Sequence, residues 1–235
     1  MNGNDGELHQ TVNLAPPAKL VRIHLHPPYI SIIMKKLHHG LYEVRCDLNL
    51  DKLKNSCYTI FDSVKNLDVD PVWVDNPGQP SAPSSTKKIL QYNLFTYVLP
   101  KIPELYKFIR SSFYQIELDH YSKNLNLNYY IQSWVNVYRH DEFLDWHGHH
   151  YPTGWAWHGF FCVDTEPSNT QYRFDDETIV TVPSINNKLV LGLCENNQHK
   201  SDVWPYVDRD RITIAFDIIP ESGLINSRPN HWVPI

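Results

Sequence analysis

Residues 129–138 read YYIQSWVNVY, and apolar and polar side chains alternate over the second half of this segment, as they do along a β-strand. The loops that follow are short and contain Pro, Asn and Asp, which favour turns. Helical segments followed by several strands are typical of an α+β fold, so the sequence predicts a β-sandwich or jelly roll with helices packed on one face. Five further strands are predicted after the first one, at 154–163, 171–174, 178–182, 188–193 and 211–218.

The part of the chain before residue 129 has a less regular pattern. Apolar residues recur there at spacings of three and four, which predicts two consecutive helices over 84–99 and 105–113. Pro100 and Pro103 interrupt the helical pattern between them. Further upstream, the sequence predicts a leader at 1–19 and strand-like segments at 20–33 and 42–48. A loop rich in Pro and Ser is predicted at 76–85.

The length and composition fit one medium-sized domain with a smaller N-terminal addition. For a chain of 235 residues we expect an N-terminal leader and extension at 1–86, packed on a jelly-roll domain at 87–235. Glycine is scarce, at 9 residues, and neither GxGxxG nor GxxxxGK occurs, which argues against Rossmann and P-loop enzymes. The 4 cysteines form no CxxC pair, so a zinc ribbon is not indicated.

Charge and hydropathy argue against several other classes of protein. The formal net charge is -5 and the basic residues are scattered, so we expect no general nucleic-acid surface. The sequence lacks the long apolar run of a membrane span, and its polar first residues do not resemble a secretory signal. Widely spaced cysteines suit a reducing compartment, so we expect a cytoplasmic protein with no membrane partner.

The densest group of polar residues surrounds two histidines, His147 and His149, that are separated by a glycine. In an extended segment, side chains two positions apart point to the same side, so one metal ion could contact both imidazoles. Gly148 leaves room for a close approach. A third ligand must come from elsewhere, and His199 is the natural candidate, in a polar loop predicted at 195–201 after the strand at 188–193. Three ligands on one face of a metal leave positions open for substrate and dioxygen.

The last predicted strand carries an arginine that alternation places on an inward face. Arg211 and Thr213 lie on the same side of the segment RITIAFDI. A buried arginine is costly unless it meets an anion, and a dicarboxylate would supply one through paired hydrogen bonds to the guanidinium. The alternative is a structural salt bridge between Arg211 and a nearby acid, Asp208 or Asp210. Arg209 lies outside the alternation and is expected to face solvent.

These motifs together resemble the iron(II)/2-oxoglutarate-dependent dioxygenase superfamily. The similarity covers about residues 129–219 and consists of the HxH pair, a distal histidine and an arginine twelve positions later. It is closest to a branch, often encoded by phages, whose first motif is HxH. The resemblance implies a double-stranded β-helix, in which His147, His149 and His199 are the catalytic metal ligands and Arg211 binds the distal carboxylate of 2-oxoglutarate.

The resemblance also implies a reaction. A member of this superfamily uses iron(II), dioxygen and the cosubstrate 2-oxoglutarate to hydroxylate a substrate, and releases succinate and carbon dioxide. The sequence does not specify whether that substrate is a small molecule, a peptide side chain or a nucleobase. The chain departs from the usual family motif at His149, where an Asp or Glu is expected. Asp145, two residues before His147, is an alternative source of the carboxylate ligand.

Other polar residues are candidates for the walls of a pocket. Gln132, Trp134, Asn136 and Tyr138 share one face of the strand at 129–138, and polar residues on an inward face often line a binding site. Asn136 and Tyr138 are therefore predicted, with Thr213, to contact the cosubstrate. His158 alternates with the neighbouring tryptophans and is predicted to face the cavity, as support for a ligand or as a substrate contact.

Two other classes of function fit parts of the sequence. A three-histidine dioxygenase of cupin type would use the same metal ligands without 2-oxoglutarate. A non-catalytic β-sandwich could bind a partner or serve a structural role. An N-terminal pair, His24 and His26, resembles the metal-binding pair of barrel-shaped hydrolases, but the chain lacks the repeated strand–helix alternation of such a barrel.

Overall fold

A computed structural model describes residues 34–70, 81–123, 125–151, 154–195, 197–224 and 231–235. The predicted strand at 20–33 lies outside these residues. The described helices are α1 (Leu50–Val64), α2 (Ile102–Tyr121) and the short α3 (Glu221–Leu224). The strands are β1 (Met34–His38), β2 (Leu41–Arg45), β3 (Tyr129–Tyr138), β4 (Trp157–Asp164), β5 (Asn169–Phe174), β6 (Ile179–Pro183), β7 (Lys188–Leu193), β8 (Asn197–Ser201), β9 (Arg211–Pro220) and β10 (Val233–Pro234).

The strands form two antiparallel sheets. The larger has the order β1-β2-β7-β4-β9-β3-β10, and the smaller has the order β6-β5-β8. Neighbours such as β3 and β9 pair along their full length, from Tyr129↔Pro220 to Tyr138↔Arg211. The strands β1 and β2, from the segment before residue 87, belong to the larger sheet, where β2 pairs with β7. The prediction of a jelly-roll core is confirmed.

The two faces of the larger sheet bury different partners, because side chains alternate along each strand. On one face, Trp157 and Phe161 of β4 contact Phe113 and Phe108 of α2 edge-on, at ring-centroid distances of 6.4 Å and 6.3 Å. On the other face, the next residues along β4 pack against the smaller sheet, in a buried cluster that includes Phe160, Cys162, Tyr172 and Val190. The predicted placement of helices on one face of the sheet is therefore confirmed.

The predicted helix over 84–99 is wrong. This segment forms only two short 3-10 turns, Thr86–Lys88 and Leu94–Thr96. A side chain at the start of β3 binds the backbone of the segment 84–99, because Gln132 Nε2 donates a hydrogen bond to the carbonyl oxygen of Ile89 at 2.8 Å. Asn93 Nδ2 in turn donates to the carbonyl oxygen of Ile131 at 2.9 Å. Contacts with β3 thus replace the hydrogen bonds that a helix would have made.

The two long helices form where local signals and burial agree. α1, which was not predicted, begins after Asn49, whose side chain accepts a hydrogen bond from the Lys52 amide at 3.0 Å. α2 confirms the helix predicted over 105–113 but begins earlier, at Ile102. Pro103 lies in its first turn, where a missing amide hydrogen costs nothing. Among the described residues, no helix is both long and apolar enough to cross a membrane.

Gly159 in β4 is predicted to be a site where even one added methyl group is harmful. A Cβ there would lie 2.4 Å from the carbonyl oxygen of Val190 and 2.6 Å from the Phe216 ring. Because these atoms belong to packed strands, Gly159→Ala should lower the free energy of unfolding by about 1–3 kcal/mol, measured by urea denaturation. In the matched control, Gly154→Ala, the atoms nearest to the added Cβ belong to the carboxyl end of the Glu195 side chain, which can rotate away. Equal stability of both variants would contradict this prediction.

Candidate metal centre

The structure brings the three predicted histidines together. One nitrogen of each ring of His147, His149 and His199 lies within 4.8 Å of the others. The backbone holds two of them side by side, because the His147 amide donates to the His199 carbonyl at 3.1 Å and the His199 amide donates back at 2.9 Å. The prediction that His199 lies in a loop is wrong, since it lies on β8 and pairs with Tyr172 of β5.

An oxygen atom lies next to the Nδ1 atom of each ring of the HxH pair. His147 Nδ1 lies 2.7 Å from the carbonyl oxygen of Asp145, and His149 Nδ1 lies 2.7 Å from Oδ1 of Asp217. Metal-binding histidines commonly use one ring nitrogen in this way, which fixes the ring and leaves the other nitrogen for the metal. In both residues the nitrogen left available is Nε2. The carboxylate of Asp145, which was considered as an alternative ligand, accepts a hydrogen bond from the Trp146 amide at 2.8 Å. Among the described residues, the third member of the cluster is His149.

Two members of the cluster, His147 and His199, favour the neutral state. Burial, aided by the neighbouring His149, lowers the pKa of His147 to about 4. Burial also holds the pKa of His199 well below its usual value, and the nearby His147 lowers it further. A metal ion binds the neutral form of imidazole, so little competition from protons is expected near neutral pH.

A fourth histidine, His158 of β4, packs against two members of the cluster. It is 2 % exposed, and its ring stacks on His149 at 4.7 Å and on His199 at 4.5 Å between centroids. The strand β7 makes room for it, because a Cβ on Gly192 would lie 2.8 Å from His158 Nε2. Burial keeps the pKa of His158 well below its usual value. As the alternation in β4 predicted, the ring faces the cavity.

A small cavity connects the cluster to the inward face of β9. Its volume is about 50 Å³, room for roughly three to five water molecules. Its walls include all four of these histidines together with Tyr138, Asn136, Arg211 and Thr213. Gln132 does not line the cavity, because its amide holds the segment before α2. A solvent-open groove of about 790 Å³, lined in part by His149, Arg173 and Glu195, adjoins the same cluster.

Arg211 is a buried cation without an acidic partner among the described residues. It is 2 % exposed, and its Nε donates to Ser168 Oγ at 2.9 Å. A longer bond runs from Nη2 to Ser184 Oγ at 3.4 Å, while Nη1 has no hydrogen-bond partner in the part of the chain that the structure describes. The salt bridge considered as an alternative, to Asp208 or Asp210, is not formed, and Asp210 accepts instead from the hydroxyl of Tyr58.

Polar groups around Arg211 extend this pocket. The guanidinium lies over the ring of Tyr138, with its central carbon 4.6 Å from the ring centroid. Asn136 Nδ2 lies 3.4 Å from Thr213 Oγ1, to which it donates a hydrogen bond. The other end of that amide, Oδ1, accepts from the hydroxyl of Thr86. The structure thus places the predicted cosubstrate contacts Asn136, Tyr138 and Thr213 in the same cavity as Arg211.

Two functional candidates, Asp217 and Tyr151, were not predicted from the sequence. Asp217 is 5 % exposed, and its Oδ2 accepts a hydrogen bond from the Tyr151 hydroxyl at 2.7 Å. The alternation along β9 could have identified Asp217, because it lies on the same face as Arg211 and Thr213. Tyr151 follows the HxH motif in an irregular segment, where no periodic pattern gives its direction.

Comparison with known proteins shows the fold. No family model and no curated protein matches the sequence. A Trichoplax adhaerens prolyl hydroxylase, solved with a peptide fragment of hypoxia inducible factor, is similar in structure, with a TM-score of 0.52, 12% identity and coverage of 81% of this chain and 88% of that one. A Pseudomonas putida prolyl-4-hydroxylase gives a TM-score of 0.50, with 13% identity over 76% of this chain and 91% of that one. A non-heme, alpha ketoglutarate dependent carbocyclase from nogalamycin biosynthesis also gives a TM-score of 0.50, with 10% identity over 77% and 79% of the two chains.

Proposed function

We propose that this chain, which has the fold of the 2OG-Fe(II) oxygenases, is an iron(II)- and 2-oxoglutarate-dependent oxygenase that hydroxylates a substrate with release of succinate and carbon dioxide. The observation that carries the proposal is a single cavity lined by a three-histidine cluster and by a buried arginine with a free donor. Either feature alone has a structural explanation. Together they match the two components, a metal and a dianion, that such an enzyme must bind.

The residues of the cluster fit iron(II). Imidazole is a good ligand for iron, and three protein ligands leave coordination positions for other molecules. Bonds of about 2.1 Å at right angles place two ligand nitrogens about 3 Å apart, so modest ring movements from the present spacing would complete the site. His199 Nδ1 is also buried without a hydrogen-bond partner. An orphaned ring nitrogen inside a protein is costly unless a ligand completes its surroundings.

The surroundings of Arg211 fit a dicarboxylate. Two serines hold Nε and Nη2, which leaves Nη1 as the free donor of a guanidinium that lines the cavity. A carboxylate there would neutralise the buried charge, and Thr213 would add a hydroxyl donor. The cavity is smaller than a bound 2-oxoglutarate requires, so we expect side chains at its walls to shift when the cosubstrate binds.

The protein and the bound groups have separate tasks in this proposal. Iron with 2-oxoglutarate supplies the oxidising chemistry, and the chain supplies binding, orientation and exclusion of water. The histidines fix the metal, and Arg211 fixes the far end of the cosubstrate. Trp134, Leu144 and Phe160 line the cavity and are at most 9 % exposed, so they keep bulk water from it. The adjoining groove gives a substrate access to the side of His149.

A three-histidine dioxygenase of cupin type is the second candidate. Among the described residues no carboxylate belongs to the histidine cluster, which favours this candidate, because such enzymes bind iron through neutral ligands alone. The unneutralised Arg211 favours the 2-oxoglutarate enzyme, since a cupin-type reaction gives that cation no anion to bind. A non-catalytic β-sandwich would explain neither the histidine cluster nor the buried arginine.

Succinate production is predicted to separate these candidates. Purified protein, supplied with iron(II), dioxygen and 2-oxoglutarate, should form succinate and carbon dioxide in equal amounts, and more quickly when a substrate is present. Small molecules, nucleobases and peptides belong in the substrate screen, the last because one structural neighbour was solved with a peptide fragment. A chelator should abolish the reaction. Oxygen uptake without succinate would support the cupin-type enzyme, and iron-free protein inert under all conditions would support the binding protein.

A further inference from the structure

The carboxylate of Asp217 lies directly behind one of the proposed metal ligands. Its Oδ1 is 2.7 Å from Nδ1 of His149, and the side chain is almost fully buried. The strand register fixes this position, because Asp217 of β9 pairs with His158 of β4, whose ring stacks on His149. The second oxygen, Oδ2, accepts a hydrogen bond from the Tyr151 hydroxyl, whereas among the described residues Oδ1 has only the close contact with His149 and no hydrogen bond.

The charge of Asp217 has no basic counterpart nearby. Among the described residues its ion-pair partner is a histidine, His149, rather than a lysine or an arginine. A buried carboxylate is costly unless a positive charge compensates for it. A divalent metal ion on the far side of the His149 ring would supply that positive charge. Three imidazole ligands would not offset the charge of the metal, whereas a carboxylate ligand would.

We infer that Asp217 is a positioning residue for the metal, acting through His149. Its carboxylate holds the ring with Nε2 toward the other two histidines, and it supplies, one imidazole further out, the negative charge that a direct Asp or Glu ligand would give. This inference rests on the proposed function, because it requires His149 to bind iron. It assigns Tyr151 a lesser role, that of fixing the carboxylate from the other side.

The first test is the affinity for iron(II), measured by anaerobic titration. Asp217→Asn keeps the size of the side chain but removes its charge, and we expect the dissociation constant to rise about 10- to 100-fold, the usual cost of losing an outer partner of a metal ligand. Tyr151→Phe leaves the carboxylate beside His149 and should cost less. Thermal unfolding of the metal-free proteins shows whether each variant is folded. An unchanged iron affinity in folded Asp217→Asn would overturn the inference.

A double-mutant cycle separates this role from a merely structural one. In the His149→Asp variant the metal ligand itself carries a negative charge, and it lies beside the carboxylate of Asp217. Adding Asp217→Asn to this variant should therefore no longer weaken iron binding. An equal loss of affinity with and without His149 would overturn the inference. Wild-type protein that binds no iron would overturn the proposed function itself, which distinguishes the two failures.

Discussion

Replacing His199 with alanine is expected to remove most of the bound iron(II). The protein offers three ligands, and losing even an outer partner of a ligand commonly costs about 10- to 100-fold in metal affinity. Loss of a ligand itself should cost more than that. The fold should survive, because the side chain of His199 is partly exposed and its pairing with Tyr172 and with His147 uses backbone atoms. Iron per protein chain, measured after anaerobic loading and removal of excess metal, gives the result.

The matched control for this experiment is a histidine outside the cluster. His140 is exposed, and it lies beside Asp141 at the turn that follows β3. His140→Ala should therefore bind as much iron as the wild type. Unchanged iron content in a folded His199→Ala variant would show that the metal is held elsewhere and would contradict the assignment of all three ligands.

Arg211→Lys is expected to weaken 2-oxoglutarate binding while iron remains bound. Lysine keeps the positive charge but lacks the separate donors of the guanidinium, of which Nη1 is free for a carboxylate. Charge-assisted hydrogen bonds contribute about 1.5–3 kcal/mol, so the dissociation constant should rise by about 10- to 150-fold. Lysine also cannot reproduce both hydrogen bonds to Ser168 and Ser184. Anaerobic titration of the iron-loaded protein with 2-oxoglutarate measures the change.

Arg209 provides the control for Arg211. Its guanidinium lies over the rings of Tyr206 and Trp204, at 4.2 Å and 5.5 Å from the centroids, outside the set of residues that line the cavity. Arg209→Lys should leave the affinity for 2-oxoglutarate close to that of the wild type. If it weakens binding and Arg211→Lys does not, the anchor is Arg209 and the inward face of β9 has another purpose.

Strands with clear alternation were predictable from the sequence. The predicted bounds of β3 and β7 agree with the structure, and the predictions for β4, β5, β6 and β9 differ from it by a few residues at their ends. Period-two alternation is a local property that burial of one sheet face imposes directly on the sequence. For the same reason, the inward direction of Arg211, Thr213 and His158 could be predicted before their partners were known.

Helices were harder to place, because distant contacts decide between similar patterns. The segment 84–99 has helical spacing, but hydrogen bonds with β3 hold it in turns. α1 also has helical spacing, since Leu53, Cys57, Ile60 and Val64 share its buried side, and Asn49 provides a capping residue. The capping signal at Asn49 was present in the sequence, and reading it with the spacing would have identified this helix.

The composition of the site was only partly predictable. The spacing of His147 and His149 predicted that they share a side, and the family resemblance selected His199. The β8–β5 pairing that positions His199, and the contact of Asp217 with His149, depend on residues far apart in the chain. No local pattern specifies such contacts, because they arise only when β4, β9 and the smaller sheet are assembled.

A crystal structure of the protein grown without oxygen, with iron(II) and 2-oxoglutarate, is the most direct test of the account. We expect one metal ion with nitrogens of His147, His149 and His199 at about 2.1 Å, by analogy with zinc–imidazole bonds. We also expect 2-oxoglutarate to chelate that metal, with its far carboxylate on Arg211. Metal bound away from the three histidines, or 2-oxoglutarate that makes no contact with Arg211 although the metal is in place, would contradict the account.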